Sequence, residues 1–227
     1  MYKMPKLILG VAPTKRSFLS MEDAKAHKDA FMARIREIDA DAVEIVDIDD
    51  LCENGILTAT ADAAETMENI QRVIDKFVKA RVDALFIPHC DFGEEQCVTT
   101  VAAALKVPTL LWGARDERPN SFEARGRDTQ CGMFACSKVL RRYNVKFSYI
   151  WNCEIESDDF ANGYDSFIRV ANVVKTVKSL RIAKFGARPQ PFMSCMDNVG
   201  ELATRYGVTT VPISPVAVAN LADEIIA

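Results

Sequence analysis

The chain has 227 residues, of which 49% are hydrophobic and 26% are charged, and its 28 basic and 32 acidic side chains give a net charge of −4. This apolar content suffices for a packed core and argues against an intrinsically disordered chain. The lack of a basic excess disfavours nucleic acid as a partner. No apolar run reaches the roughly 18 residues of a membrane span, so we expect no membrane partner.

The first 157 residues alternate between short apolar runs, typical of buried strands, and longer amphipathic stretches, typical of helices. The pattern predicts five strands at 6–12, 42–48, 83–88, 107–112 and 146–151. Ser20 is predicted to cap the helix that follows the first strand. Because crossovers of ten or more residues join parallel strands, residues 1–157 are predicted to form a Rossmann-like, doubly wound α/β domain.

A second, shorter β-α series occupies residues 158–227. The pattern predicts a crossover helix to about residue 180, strands at 181–186 and 208–213, and helices at 192–206 and 216–226. A two-stranded parallel sheet cannot cover its own faces and edges. We therefore expect an incomplete second Rossmann-like unit. Either the chain is the front part of a longer protein, or this end docks on the first domain or on another subunit.

The N-terminal segment shows no secretion signal, because the apolar run 7–12 is short and no small-residue cleavage site follows it. We therefore expect a cytoplasmic protein. The seven cysteines include no CxxC pair. In a reducing compartment they are expected to be small buried residues rather than zinc ligands.

Ligands of open parallel sheets bind beyond the carboxyl ends of the strands, so the segments that follow the strands hold the candidate site. These segments contribute the candidate binding residues Lys15, Arg16, His89, Asp91, Gln130, Arg188 and Gln190. Each has a plainer alternative: the Lys15–Arg16 pair could be ordinary surface, and a histidine at a strand end is as often a structural residue. Glu94 and Glu95 precede a helix, where acids are favoured, so helix capping is their plainer interpretation.

The connection after the fourth strand is unusually long. Residues 114–128 number fifteen, against the usual two to six or so in α/β units. They include four arginines and four acids, so a solvated loop is one interpretation, and a loop that orders over a polar ligand or seals a subunit interface is the other. Balanced charge favours a neutral polyol over a polyphosphate. The sequence contains neither GxxxxGK[ST] nor a GxGxxG after the first strand, which disfavours nucleotide binding.

Five segments are similar to the L-fucose/L-arabinose isomerase superfamily, in particular to its fucose-isomerase-like members. They are residues 9–14 (LGVAPT), 87–96 (IPHCDFGEEQ), 108–119 (PTLLWGARDERP), 127–132 (RDTQCG) and 185–192 (FGARPQPF). Their order and spacing agree along nearly the whole chain. The chain therefore resembles the N-terminal portion of these enzymes, which are about twice its length or more.

The resemblance implies aldose–ketose isomerisation of a sugar by a homo-oligomer with two stacked Rossmann-like domains and a third, C-terminal domain. A divalent metal, usually Mn²⁺, would stabilise an ene-diol(ate) while an acid/base pair moves the proton. The family's metal ligands fall beyond Ala227, so the resemblance implies no catalytic residue and no metal ligand here, and an inactive chain on its own. Lys15, Arg16, His89, Asp91 and Gln130 would contact sugar hydroxyls in a neighbouring subunit's site, and Arg188 and Gln190 would do so from the second domain.

Two hypotheses from other classes remain open. The chain could be a cytoplasmic sugar-binding or regulatory module with a periplasmic-binding-protein-like fold. Alternatively, it could be a scaffold subunit that pairs with a separate catalytic chain.

Overall fold

The structure is a computed structural model that describes residues 6–39, 41–117 and 126–226. Its main sheet has five parallel strands in the order β2-β1-β3-β4-β5. They are β1 (Leu7–Val11), β2 (Val43–Val46), β3 (Ala84–His89), β4 (Thr109–Gly113) and β5 (Phe147–Tyr149). The predicted doubly wound parallel α/β fold is confirmed.

Helices connect these strands and cover both faces of the sheet. They are α1 (Met21–Ile38), α2 (Ala63–Ala80), α3 (Glu95–Leu105), α4 (Thr129–Arg142) and α5 (Asp158–Lys178). The predicted cap of α1 is confirmed, because the Ser20 side chain accepts a hydrogen bond of 3.1 Å from the Asp23 amide.

The hydrophobic core lies in two layers, one on each face of the sheet. Successive side chains of β3 point to opposite faces of the sheet and so enter different layers. Phe86 packs with residues of α1 and α5, and its neighbour Leu85 packs with residues of α2, α3 and α4. An aromatic cluster fills the first layer, where the Trp112 and Phe160 rings lie 4.7 Å apart. The connection that leaves β1 runs to β2 on one side, and the connection that leaves β3 runs to β4 on the other. The topological switch point therefore lies at the carboxyl ends of β1 and β3.

The chain divides into two compact units at Ala171, within α5. The boundary placed at residue 157 by sequence stays a prediction. The second unit contains a parallel pair, β6 (Arg181–Phe185) and β7 (Thr209–Ile213), and two helices, α6 (Val199–Tyr206) and α7 (Pro215–Ile226).

One predicted helix is wrong over its first half. Met193–Cys195 forms a short 3₁₀ turn, and α6 begins only at Val199. The reason is local, because the Asn198 side chain accepts the Glu201 amide at 3.0 Å and starts the helix there. The preceding prolines, Pro189 and Pro191, also disfavour an earlier start.

The second unit buries little of its own surface. Among its described residues only Val208 is buried, and large apolar side chains such as Phe185, Phe192 and Val216 are exposed. That this unit is an incomplete domain stays a prediction. No helix in the described part of the chain combines the length and apolar character that crossing a membrane requires.

Candidate functional site

The loops that follow β1 and β3 run side by side at the switch point. Thr14 bridges to His89, donating its amide to Pro88 O at 3.0 Å and accepting the Cys90 amide at 2.9 Å. This pairing brings four of the seven sequence-predicted residues together, namely Lys15, Arg16, His89 and Asp91. We call the group that they form with Glu94 the switch-point cluster.

Arg16 is the charged centre of the cluster. Its guanidinium donates to Glu94 Oε1 at 2.6 Å and to Glu95 Oε1 at 3.4 Å, and lies 4.4 Å from the centre of the Phe92 ring. Glu94 occupies the N-cap position of α3, as the capping interpretation expects, but its side chain makes no capping hydrogen bond and pairs with Arg16 instead. The other carboxylate oxygen of Glu94, Oε2, is buried and has no hydrogen-bond partner among the described residues.

Asp91 fixes the backbone of both loops. Its Oδ1 accepts the Arg16 amide at 2.7 Å and the Gly93 amide at 2.9 Å. Burial raises the pKa of the Asp91 carboxyl, and these two amides oppose that shift. Gly93 has a φ of +77°, and a Cβ there would lie 2.6 Å from His89 Nδ1, so the turn requires glycine.

His89 is a buried, neutral histidine. Burial lowers its pKa to about 4, and its Nδ1 lies 3.1 Å from Phe92 O, so Nδ1–H donates and Nε2 is left as an acceptor. Nε2 has no partner within the described chain, and neither has the indole Nε1 of Trp112. Both side chains line a cavity of about 70 Å³ together with His27 and Arg127. This cavity is large enough for a water molecule or a ligand hydroxyl.

His27 and Arg127 belong to the same region, although the sequence analysis did not select them. His27 Nδ1 donates to Cys90 O at 2.9 Å, and its Nε2 lies 3.3 Å from Arg127 Nη1. Burial and then the Arg127 charge lower the pKa of His27. Arg127 also donates to Arg115 O at 2.7 Å and pairs with Glu117 at 3.3 Å. The loop after β4 is thereby tied to α1.

The Lys15 side chain makes its hydrogen bonds within its own loop. It is buried, and its Nζ donates to Arg16 O at 2.7 Å and Ser17 O at 3.2 Å. The ammonium therefore shapes the backbone that presents Arg16. A sugar contact by Lys15 stays a prediction.

Gln130 lies at the first turn of α4, whose start is set by Asp116. Asp116 Oδ1 accepts the Thr129 amide at 2.7 Å, and Oδ2 accepts the Gln130 amide at 3.0 Å. The exposed Gln130 side chain lines a groove between α4 and β5. Residues 118–125 of the long loop lie outside the described residues, so its predicted role over a ligand or interface stays open.

Arg188 and Gln190 lie in the second unit, on the exposed loop after β6. Arg188 Nη1 donates to Gln190 O at 2.8 Å and to Pro189 O at 3.2 Å. The switch-point cluster lies entirely in the first unit, and a sugar contact by Arg188 and Gln190 stays a prediction.

Metal and thiol chemistry have little support in the described residues. No three His, Cys, Asp or Glu side chains converge there to hold a metal ion. Burial raises the pKa of the Cys90 thiol, which leaves it protonated and unsuited to nucleophilic attack.

Comparison with known proteins relates the first unit to sugar isomerases. The model of the fucose/sulfoquinovose isomerase N-terminal domain matches residues 10–178. A sulfoquinovose isomerase from Alkalicoccus urumqiensis is 27% identical over 141 residues, which cover 60% of this chain and 30% of that enzyme. A crystal structure of an azoreductase from Bacillus anthracis str. Sterne aligns with a TM-score of 0.36 and 12% identity, over 74% of this chain and 100% of that one.

Proposed function

Because the chain belongs to the fucose/sulfoquinovose isomerase family, we propose that it is the N-terminal part of a sugar isomerase that interconverts an aldose and a ketose. The observation that carries this proposal is the match of the N-terminal-domain model over residues 10–178, which contain the whole switch-point cluster. The chain spans only 30% of the related sulfoquinovose isomerase. The homo-oligomer and the divalent metal of the whole enzyme are proposals that rest on the family, and the cytoplasmic location is a proposal that rests on the N-terminal sequence.

The switch-point cluster is suited to bind a polyol. Beside Arg16 lies a groove of about 380 Å³, within the usual range for small-ligand sites. Its wall includes Phe18, which is 82% exposed and offers an apolar ring to the C–H face of a sugar. The Arg16 N–H groups and the carboxylates of Glu94 and Glu95 offer donors and acceptors to sugar hydroxyls. Since these charges are paired, the site favours a neutral polyol over a polyphosphate.

The same cluster does not fit a divalent metal. Asp91 Oδ1 accepts two backbone amides, and Glu94 Oε1 is bound to Arg16. His89 Nδ1 is held by Phe92 O. Asp91 Oδ2, Glu94 Oε2 and His89 Nε2 have no partner among the described residues, but no three such side chains converge there to hold a metal ion. We therefore assign binding and orientation of the sugar to this chain. Proton transfer and metal chemistry are assigned to residues outside these 227.

Sugar binding by Arg16 distinguishes a binding site from a cluster that only stabilises the fold. Isothermal titration of the chain with fucose, a neutral sugar, should give millimolar affinity, about −4 kcal/mol. Sulfoquinovose, whose sulfonate is an anion, should bind more weakly because the cations of the cluster are already paired. Arg16→Ala should weaken the affinity for fucose about tenfold, and Arg16→Lys by a smaller factor, because lysine keeps the charge but loses the two-pronged donor. Arg142→Ala, at an exposed arginine of α4, is the matched control and should leave the affinity unchanged.

Three results would contradict the proposal. The first is the absence of sugar binding to a chain that circular dichroism shows to be folded, and the second is binding that Arg16→Ala leaves intact. The third is turnover of an aldose by the purified chain with Mn²⁺, because that would place the proton-transfer and metal-binding groups within these 227 residues.

A further inference from the structure

Among the described residues, β5 forms the outer edge of the main sheet. This strand has three residues, is last in the strand order and pairs there with β4 alone. Ile150 donates its amide to Leu111 O of β4 at 3.0 Å. Since successive amides of an extended chain point to opposite sides, the amides of Phe147 and Tyr149 within β5 point away from β4. These two amides can pair with another strand.

Exposed aromatic rings lie along this edge. Tyr149 is 58% exposed and Trp151 is 69% exposed, and their rings meet edge to face with centroids 6.1 Å apart. The other tryptophan of the chain, Trp112, is only 1% exposed. Phe134 of α4, which is 68% exposed, forms the opposite wall of a groove of about 760 Å³. Exposed aromatic clusters of this kind mark interaction surfaces.

The groove has one sign of charge. Lys138 and Arg141 line it on the α4 side, and none of its described lining residues is acidic. The sequence of α4 contains no acid at all. Two copies of this groove brought face to face would place these cations against one another, which disfavours self-pairing. The charge therefore favours an acidic occupant.

We propose that the β5 edge groove binds an extended, acidic segment of a partner protein, which adds as a sixth strand beside β5. Its backbone would pair with the free edge of β5, while its apolar side chains would rest on Trp151, Tyr149 and Phe134. Its carboxylates would face Lys138 and Arg141. A small anion could use the charge but not the strand edge, so strand addition accounts for both features. The proposal goes beyond the sugar site and does not depend on it.

A defined peptide tests this mode of binding. The probe is a fluorescein-labelled peptide, VTETVTET, in which one face alternates valine and glutamate and the other is threonine. Fluorescence anisotropy should report saturable binding to the full chain. The emission of Trp151 should change on binding, whereas the buried Trp112 provides a constant background. The same peptide with lysine in place of glutamate should bind about tenfold more weakly, and an N-methylated peptide, which cannot pair as a strand, should not bind.

Neighbouring arginines at the end of α4 supply the matched variants. Arg141→Glu should weaken binding of the acidic peptide about tenfold, and Lys138→Glu/Arg141→Glu should reverse the preference between the acidic and basic peptides. Arg142→Glu makes the same charge change one residue away, outside the groove lining, and should change affinity less than about twofold.

Three outcomes would overturn the proposal. The acidic peptide could fail to bind the folded chain, it could bind equally well to the Arg141→Glu variant, or the N-methylated peptide could bind as tightly as its parent. The last result would show that side chains alone hold the peptide, without strand pairing. A dimer in sedimentation that Trp151→Ser abolishes and that the peptide does not reverse would instead identify a second copy as the occupant.

Discussion

At the residue scale, the switch-point cluster holds its charges in pairs around one arginine. Arg16 donates to Glu94 Oε1 and Glu95 Oε1, while its own amide donates to Asp91 Oδ1. Removing a buried partner leaves the other charge without compensation, which costs more than the pair itself contributes. The pairing therefore makes Arg16 the residue on which the geometry of the proposed sugar site depends.

The first prediction concerns that pair. Arg16→Met should lower the free energy of unfolding by about 2 kcal/mol, because the nearly buried Glu94 carboxylate loses its donor. Urea denaturation measures the change. Glu94→Gln in the Arg16→Met background should recover about half of the loss, because an uncharged amide is cheaper to bury. Equal losses in the single and double variants would show that the pair is not coupled.

The second prediction concerns pH and His89. Its folded-state pKa of about 4 lies below the unfolded value of 6.5, so the unfolded chain takes up this proton first as the pH falls. Neutral His89 therefore makes its full contribution to the free energy of unfolding above pH 6.5. That contribution declines between pH 6.5 and 4, by up to about 1.4 kcal/mol per pH unit.

Urea titrations of the wild type and His89→Gln between pH 7 and pH 4.5 measure this effect. The stability advantage of the wild type should shrink as the pH falls. Asp91, whose pKa is raised, acts with the opposite sign but is common to both proteins. A difference that stays constant with pH would contradict a neutral, buried His89.

Sequence reasoning located Arg16, His89 and Asp91 because strand ends are readable from apolar runs. It did not find Arg127, whose contact with His27 joins residues a hundred positions apart in the chain. A signal for His27 existed, since it lies between the buried Ala24 and Phe31 at helical spacing. The hydrogen bonds that commit Lys15 to its own loop depend on backbone geometry that side-chain patterns do not encode.

At the element scale, α4 packs against the loop that follows β3, with Gly132 next to Phe92 O. Its start is capped by Asp116 from across the loop, whereas the preceding Asp128 has a left-handed backbone and makes no capping bond. Predicted strand bounds fall within two residues of the observed ones in both units. The predicted helix at 192–206 fails over its first half, where local capping by Asn198 decides the start.

The third prediction tests how closely α4 approaches β3. A Cβ at Gly132 would lie 1.7 Å from Phe92 O, so Gly132→Ala must displace α4 from the loop that holds Asp91 and His89. We expect a loss of about 3 kcal/mol in the free energy of unfolding. Gly126→Ala is the control, because its Cβ would meet nothing within 4 Å among the described residues. A Gly132 variant as stable as the control would contradict this packing.

At the scale of the whole molecule, the two units differ in how much they bury. The first encloses two core layers, whereas Val208 is the only buried residue in the described part of the second. The low burial was foreseeable from the count of strands, since a two-stranded sheet cannot cover itself. What covers the exposed faces of the second unit cannot be inferred from the sequence pattern.

The fourth prediction follows from this contrast. In hydrogen–deuterium exchange, the amides of β6, β7 and α6 should exchange orders of magnitude faster than those of β1, β3 and β4. The reason is that local opening of the second unit exposes little apolar surface and therefore costs little free energy. Equal protection of both units would show that the second is as stable as the first.

The central claim is that the switch-point cluster is a sugar-binding surface, and backbone NMR tests it most directly. Titration of the isotope-labelled chain with fucose or sulfoquinovose should produce saturable shifts at the amides of Arg16, Asp91 and Gly93 and at the Trp112 indole. Glycerol at the same concentration should not produce them. Shifts that are absent, that glycerol reproduces, or that fall only on residues remote from the cluster would contradict the account.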